Sequence, residues 1–207
     1  MYIPRYFHEQ DESQLLALMG EYGFATLVTS ENGIPFATHI PLLAERDAGG
    51  RLLLQGHLAR ANPQWQSFAQ KGEVLAIFQG PHAYVSPSCY KGPSVPTWNY
   101  AVVHAYGTPS IVEEPAKVLS SLRQLARKYE AGREKPWSPD DVEAMVSQLL
   151  SGIVAFEISV TRLEGNFKLS QNRNEHDYNA VMRFVELGNP PGSEGLVEMM
   201  RARKPKG

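Results

Sequence analysis

One cysteine, Cys89, is all the thiol chemistry that this chain of 207 residues carries. An internal disulfide is therefore excluded, and so is any cysteine-built metal cluster. Charge of one sign is also missing. Lys and Arg number 20 against 22 Asp and Glu, and the net charge of −2 gives no global field for nucleic acid. No apolar run approaches the roughly 20 residues that a membrane-spanning helix needs. The opening MYIPRYFHEQDE lacks an apolar h-region and does not read as a signal peptide. A soluble, cytoplasmic protein with no membrane partner is the expectation. Two further absences narrow the chemistry. No Gly-rich loop matches a dinucleotide or triphosphate fingerprint, and there is no Gly-x-Ser-x-Gly elbow. The His residues at 8, 39, 57, 82, 104 and 176 have no compact metal spacing. Cys89 lies between Ser88 and Tyr90 and reads as packing rather than as a nucleophile paired with His82 or His104. The expectation is no catalytic side chain and no metal site.

What the chain does have is an aromatic stretch, Phe78 to Gly107. His82, Tyr84, Tyr90, Trp98, Tyr100, His104 and Tyr106 crowd there among Gly and Pro. Flat ligands are often held by this mixture, and an aromatic-rich strand pair would use it as well. The remaining segments arrange themselves around this stretch. Asp11 to Tyr22 has leucines near helical spacing, with Asp11 or Ser13 as cap. Phe24 to Ser30 and Ile34 to Leu43 read as strands joined at Asn32-Gly33, a strong hairpin signal. Pro35 and Pro41 place the return strand at an edge or bulge. Arg51 to Gly56, Glu73 to Gln79, Ala83 to Ser86 and Thr97 to Gly107 read as further strands. Six strands with short connections favour a small closed barrel over an open sheet.

Helices then enter. Glu114 to Tyr129 and Ser138 to Leu150 are helical and look like an insertion over about 114–151 between barrel strands. Ile153 to Leu163 returns to β by its alternation, and Glu164-Gly165 reads as a turn. Helices over about 176–202 follow, with Ser193 as a candidate cap for the last. The whole, residues 1–207, is expected to be one domain, mainly β with helical additions. The tail Arg201, Arg203, Lys204 and Lys206 is basic but short, and no reading helix accompanies it, so DNA is a weakly supported partner.

The donor groups suggest a ligand. His57, Arg60, Lys91, Lys168 and Arg173 are cationic or donor residues, and Thr97, Asn99, Ser170, Gln171 and Asn172 add amides and hydroxyls. A strand running into the loop HLARANP and then a helix start is a plausible anion cradle. A flat anionic cofactor would use cations, amides and aromatics together, and redox cofactors carry their own chemistry.

Five ordered blocks carry a resemblance: MYIPRYF, HLARANPQW from His57, GPHAYVSPSCY from Gly80, VPTWNYAVVHAYG from Val95 and LEGNFKLSQNR from Leu163. They resemble the PaiB-like FMN-binding negative transcriptional regulators, within the flavin-binding split-barrel group. The resemblance implies a six-stranded antiparallel split β-barrel that forms a homodimer with FMN in clefts between protomers. It places Thr38 and His39 beside the cofactor. It also puts the His57 to Asn62 segment at the phosphate, with Arg60 foremost. Trp98, Lys168, Ser170 and Gln171 complete the cofactor-binding set. LSQNR would look the same as a buried dimer contact. The family usually has Trp where this chain has Cys89, so either ring stacking or local packing differs there. A flavin-dependent oxidoreductase using NAD(P)H and a haem-binding split-barrel protein are the alternative functions.

Overall fold

Runs rich in Val, Ile, Thr and aromatic residues become strands, and helical periodicity resumes wherever Gly and Pro thin out. The computed structural model describes residues 1–70, 72–188 and 190–203, leaving aside the side chains of 143, 144 and 147. The basic-tail residues 204–207, on which part of the DNA expectation rested, lie outside the described residues. Among the described residues the strands are β1 (His8–Glu9), β2 (Phe24–Glu31), β3 (Ile34–Pro41), β4 (Leu43–Arg46), β5 (Leu52–Ala59), β6 (Val74–Val85), β7 (Thr97–Ile111) and β8 (Ile153–Lys168). The α-helices are α1 (Glu12–Glu21), α2 (Pro115–Glu130), α3 (Glu143–Leu149), α4 (Glu175–Gly188) and α5 (Leu196–Arg201).

The result is one eight-stranded antiparallel sheet in the order β3-β2-β6-β7-β8-β5-β4, with β1 added on β8. This corrects the expectation of six strands in a closed barrel. Two of the expected breaks are absent. Gly80-Pro81 does not end a strand, because β6 runs through it. Glu164-Gly165 is not a turn, because β8 continues to Lys168. Gly165 serves a close approach instead: a Cβ there would stand 2.3 Å from Leu15 Cδ2 and 3.1 Å from the Glu9 carbonyl, its partner across β1. A third break is new. The expected strand 34–43 divides at Leu42, and β4 turns away to pair with β5. The pairings also leave β3 and β4, the two ends of the order, unjoined.

Where local chemistry is explicit, the expectations hold. Asn32 and Gly33 both have positive φ, at 52° and 79°, as a two-residue hairpin turn of the primed kind demands. Asp11 caps α1 by accepting the Ser13 amide at 2.9 Å. The final helix has Gly195 rather than Ser193 at its N-cap, without a side-chain bond.

The chain divides into two compact units. The first consists of Met1–Leu18, Phe78–His104 and Leu163–Gly207, and the second of Met19–Ile77 and Ala105–Arg162. In the second unit Leu27, Leu42, Leu54, Leu58 and Ile158 are buried, and Phe68 meets Phe156 edge-on at 5.1 Å. In the first, Phe167, Leu169, Tyr178, Val181, Leu196 and Met200 are buried. The Tyr178 hydroxyl donates to the Met200 carbonyl and, at 3.2 Å, to that of Arg203. Burial pushes its pKa up to about 12. No described helix is long and apolar enough to cross a membrane.

Candidate functional site

The residues expected to bind a cofactor fall into two banks, one in each unit. The bank in the second unit is built on β3, β5 and the loop after β5. His57 is near the end of β5, and burial lowers its pKa, so the ring is held neutral. The chain then leaves the sheet through Arg60, Ala61 and Asn62 and enters a 3-10 helix, Pro63–Gln70. Asn62 fixes this exit in two directions. Its Nδ2 donates to Thr38 Oγ1 on β3 at 2.9 Å, and its Oδ1 accepts the Gln64 amide at 3.0 Å, which caps the 3-10 helix. His39, the neighbour of Thr38, is exposed and stacks on Phe24 at 6.3 Å.

Gln64 is a residue that sequence reasoning passed over. It is 3% exposed, and its Nε2 reaches the Leu27 carbonyl at 3.0 Å, with Thr29 Oγ1 and the Phe36 carbonyl each at 3.3 Å. It therefore ties the loop to both strands of the β2–β3 hairpin. The one signal for it was an amide placed two residues after Asn62, on the helix side of a proline.

Arg60 is exposed but engaged. Its Nε donates to the Ser151 carbonyl at 2.7 Å and its Nη2 to the Ile153 carbonyl at 2.8 Å. Beside it lies a cavity of about 460 Å³, lined also by Trp65, Glu113, Val118, Leu150 and Ile153.

The bank in the first unit centres on β7 and the end of β8. Trp98 is 51% exposed, with the His82 ring at 6.2 Å and the Tyr84 ring edge-on at 5.9 Å. Lys168 Nζ donates to Thr97 Oγ1 and, at 2.7 Å, to the Trp98 carbonyl. Burial, and secondarily Arg173, lowers the Lys168 pKa. The LSQNR segment after it is a knot of bonds within the chain. Ser170 adopts a positive φ of 64°, and its hydroxyl donates to Asn99 Oδ1 at 2.9 Å. Asn99 is fully buried, and its amide points to the Met200 sulfur at 3.6 Å. Gln171 accepts the Leu169 amide at 2.7 Å and returns a bond to the Phe167 carbonyl. Arg173 covers the Tyr90 ring at 4.8 Å.

Cys89 does not belong to this cluster of contacts. It lines an open groove of about 450 Å³ with His176, Asn179, Arg183 and Phe184, and its thiol donates to the Ser86 carbonyl at 3.0 Å. Burial pushes that thiol's pKa up, which suits packing and not nucleophilic attack. Among the described residues no group of three His, Cys, Asp or Glu side chains could hold a metal ion.

The donor set of the first-described bank suits a phosphate. Thr38 has a hydroxyl proton to give, Arg60 has its Nη1 nitrogen, and the 57–62 segment contains no carboxylate. The second bank offers an exposed indole and an ammonium, which suit a flat polar ring.

Comparison with known proteins agrees with this chemistry. Residues 1–162 match the family described as "Putative FMN-binding domain". The chain is 39% identical over 209 aligned positions to the protease synthase and sporulation protein PAI 2 of Bacillus subtilis, spanning 100% of this chain and 99% of that one. It is 32% identical to an uncharacterised protein of Aspergillus fumigatus, over 82% of this chain and 81% of the relative. Among solved structures, the flavocytochrome Anf3 of Azotobacter vinelandii superposes with a TM-score of 0.60 at 16% identity, over 86% of this chain and 78% of that one. The FAD and heme binding protein of Mycobacterium smegmatis gives 0.58 at 16% identity, over 78% and 73%. These two likenesses concern the fold, a sheet of the split-barrel kind with helical additions. With a family match over most of its length and a full-length relative, the chain belongs to the PaiB-like family of FMN-binding regulators.

Proposed function

We propose that this protein is a homodimeric, cytoplasmic FMN-binding regulator. In this reading Thr38, His39, His57 and Asn62 belong to the bank that meets the phosphate, and Arg60 belongs to the loop that carries it. Trp98, Lys168, Ser170 and Gln171 form the bank that serves the isoalloxazine ring, with Ser170 and Gln171 fixing the turn that carries Lys168. In a dimer the two banks around one cofactor can come from different copies, and the strand order is then one half of a split-barrel pair. Bound FMN supplies hydride and single-electron transfer; the chain supplies position and electrostatics. The observation that carries the reading is the 57–62 segment, where donors gather without a carboxylate and Asn62 is already fixed to Thr38. A neutral His57 adds a hydrogen-bond donor without the cost of burying a charge. Calorimetric titration of the purified chain with FMN tests it. Saturable binding is expected; no heat and no change in the flavin spectrum would refute the site.

A flavin-dependent oxidoreductase is the second reading. It is favoured by the exposure of Trp98 beside Lys168, which leaves an aromatic face for another flat molecule. Bleaching of bound flavin by NADH or NADPH at a useful rate would select this reading, and no bleaching by either would remove it.

A further inference from the structure

Arg60 is the residue that a sequence reader assigns to the phosphate, because it is the cation of an anion-cradle loop. Its bonds say something more specific. Three successive carbonyls, those of Ser151, Gly152 and Ile153, are all met by this one residue. The Nε takes Ser151 at 2.7 Å, the backbone N–H takes Gly152 at 2.8 Å, and Nη2 takes Ile153 at 2.8 Å. Arg60's own carbonyl accepts the Trp65 indole N–H at 3.0 Å. Ser151 and Gly152 end a 3-10 helix, Leu150–Gly152, whose last carbonyls have no partner further along the helix. An arginine near a helix C-terminus satisfies such groups. The planar fork of the guanidinium spans two carbonyls that a lysine ammonium, a single point charge, cannot span in the same way.

We propose that Arg60 is the positioning residue of the flavin loop. It holds residues 60–62 against the 151–153 segment, so that Thr38, Asn62 and the loop's exposed donors stand where the cofactor needs them, and it does not select the phosphate by its charge. This inference rests on the FMN reading of the loop and deepens it. A guanidinium can grip an anion end-on, through Nη1 and Nη2, or by its side-on edge, Nε and Nη2. Here that edge is spent on the protein, leaving only Nη1 without a partner among the described residues. Preorganising a loop raises affinity for every ligand that uses it, whatever charge the ligand carries.

The charge dependence separates the two roles. Arg60→Ala and Arg60→Lys are titrated with FMN and with riboflavin, which lacks the phosphate, at a temperature where both variants are folded by circular dichroism. Both variants are expected to lose affinity for the two flavins by the same factor, about tenfold. Lysine, which keeps the charge and loses the fork, is expected to fare no better than alanine. A loss confined to FMN would overturn the proposal in favour of direct phosphate contact, as would wild-type FMN affinity in Arg60→Lys. Unchanged affinity for both flavins in both variants would overturn it too, leaving Arg60 a purely structural residue. Hydrogen exchange on the flavin-free chain supplies an independent arm. The amides at 60–62 are expected to exchange faster in Arg60→Lys, and unchanged exchange would refute the clamp. A wild-type chain that binds neither flavin removes the FMN assignment itself, and the exchange arm still decides whether Arg60 holds the loop.

Discussion

The two banks are held in opposite ways. In the unit of Met19–Ile77 and Ala105–Arg162, the motif residues stand on an exposed loop whose anchoring bonds run to backbone carbonyls and to Thr38. Spare donor capacity remains at its surface. In the unit of Met1–Leu18, Phe78–His104 and Leu163–Gly207, the polar motif residues are largely consumed by one another. Ser170 serves Asn99, Gln171 serves the Leu169 amide and the Phe167 carbonyl, both before it in the chain, and the Trp98 indole keeps an outward aspect. The same kind of polar motif thus does two jobs. In one place it leaves donors at the surface; in the other it is an internal brace behind an aromatic face. Substitutions should therefore separate the units: brace residues cost stability first, and loop residues cost affinity first.

The largest effect is expected at Ser170. A β-branched side chain at a φ of 64° adds roughly 1–2 kcal/mol of backbone strain. Losing the hydroxyl also strands a buried Asn99 oxygen, at roughly 1–3 kcal/mol. Ser170→Val should thus lose about 3 kcal/mol in urea unfolding, whereas Ser170→Gly, which suits that φ, should lose about half as much. Equal losses in the two variants would mean that the turn carries no strain and the brace is weaker than its geometry suggests.

How far the sequence disclosed this contrast depends on the kind of signal. Asn32-Gly33 announced its hairpin because only a few residues accept two positive φ values in succession. The helix over Pro115–Glu130 announced itself by periodicity. Gly165 misled, since a glycine demanded by the approach of Leu15 and Glu9 looks in sequence like one demanded by a turn. Gly80-Pro81 misled for the same reason, and these errors hid the length of β6 and β8. At the site, residue types were legible and their partners were not. Nothing in HLARANP reveals that carbonyls some 90 positions later are waiting for Arg60, because that pairing follows from the β5–β8 register, Ala59 opposite Ile153. Ser170 gave no sign of its left-handed backbone, which serine rarely adopts.

A smaller and opposite effect is expected at Thr38. Thr38→Val keeps the β-branched shape on an edge strand and removes the oxygen that accepts Asn62. The site is part-buried, so about 1 kcal/mol of stability should go. FMN affinity should fall further than that loss alone would suggest, since a donor and the register of Asn62 vanish together. A stability loss as large as that of Ser170→Val, with flavin affinity intact, would erase the distinction between loop and brace.

Acid should affect both units in the same direction, which sharpens the comparison by supplying a control. His57 and His104 each have a pKa lowered from about 6.5 chiefly by burial. The folded chain then binds fewer protons than the unfolded chain between 6.5 and the depressed native values. Stability is therefore constant above that window and falls as the pH drops through it. His57→Gln should flatten part of the slope of Tm against pH between 7 and 5, and His104→Gln another part. In FMN titrations over the same range only His57→Gln should change the pH dependence, because only His57 stands in the phosphate bank.

The least effect on stability is expected at Trp98, where the question is affinity alone. Half of the indole is already in solvent, and its neighbours His82 and Tyr84 are at ring separations near the outer limit of useful contact. Trp98→Ala should shift the urea midpoint by no more than about 0.5 kcal/mol. If the aromatic face serves the isoalloxazine, the same variant should weaken FMN and riboflavin equally, and lumiflavin, a bare ring, as well. Trp98→Phe should recover most of that loss, since stacking requires a ring and not the indole N–H. Loss of FMN affinity with lumiflavin binding unchanged would show that Trp98 acts on the phosphate or ribityl end. A variant that binds every flavin like the wild type would leave the exposed face to a partner other than the cofactor, and the brace behind it would then exist to present that partner's surface.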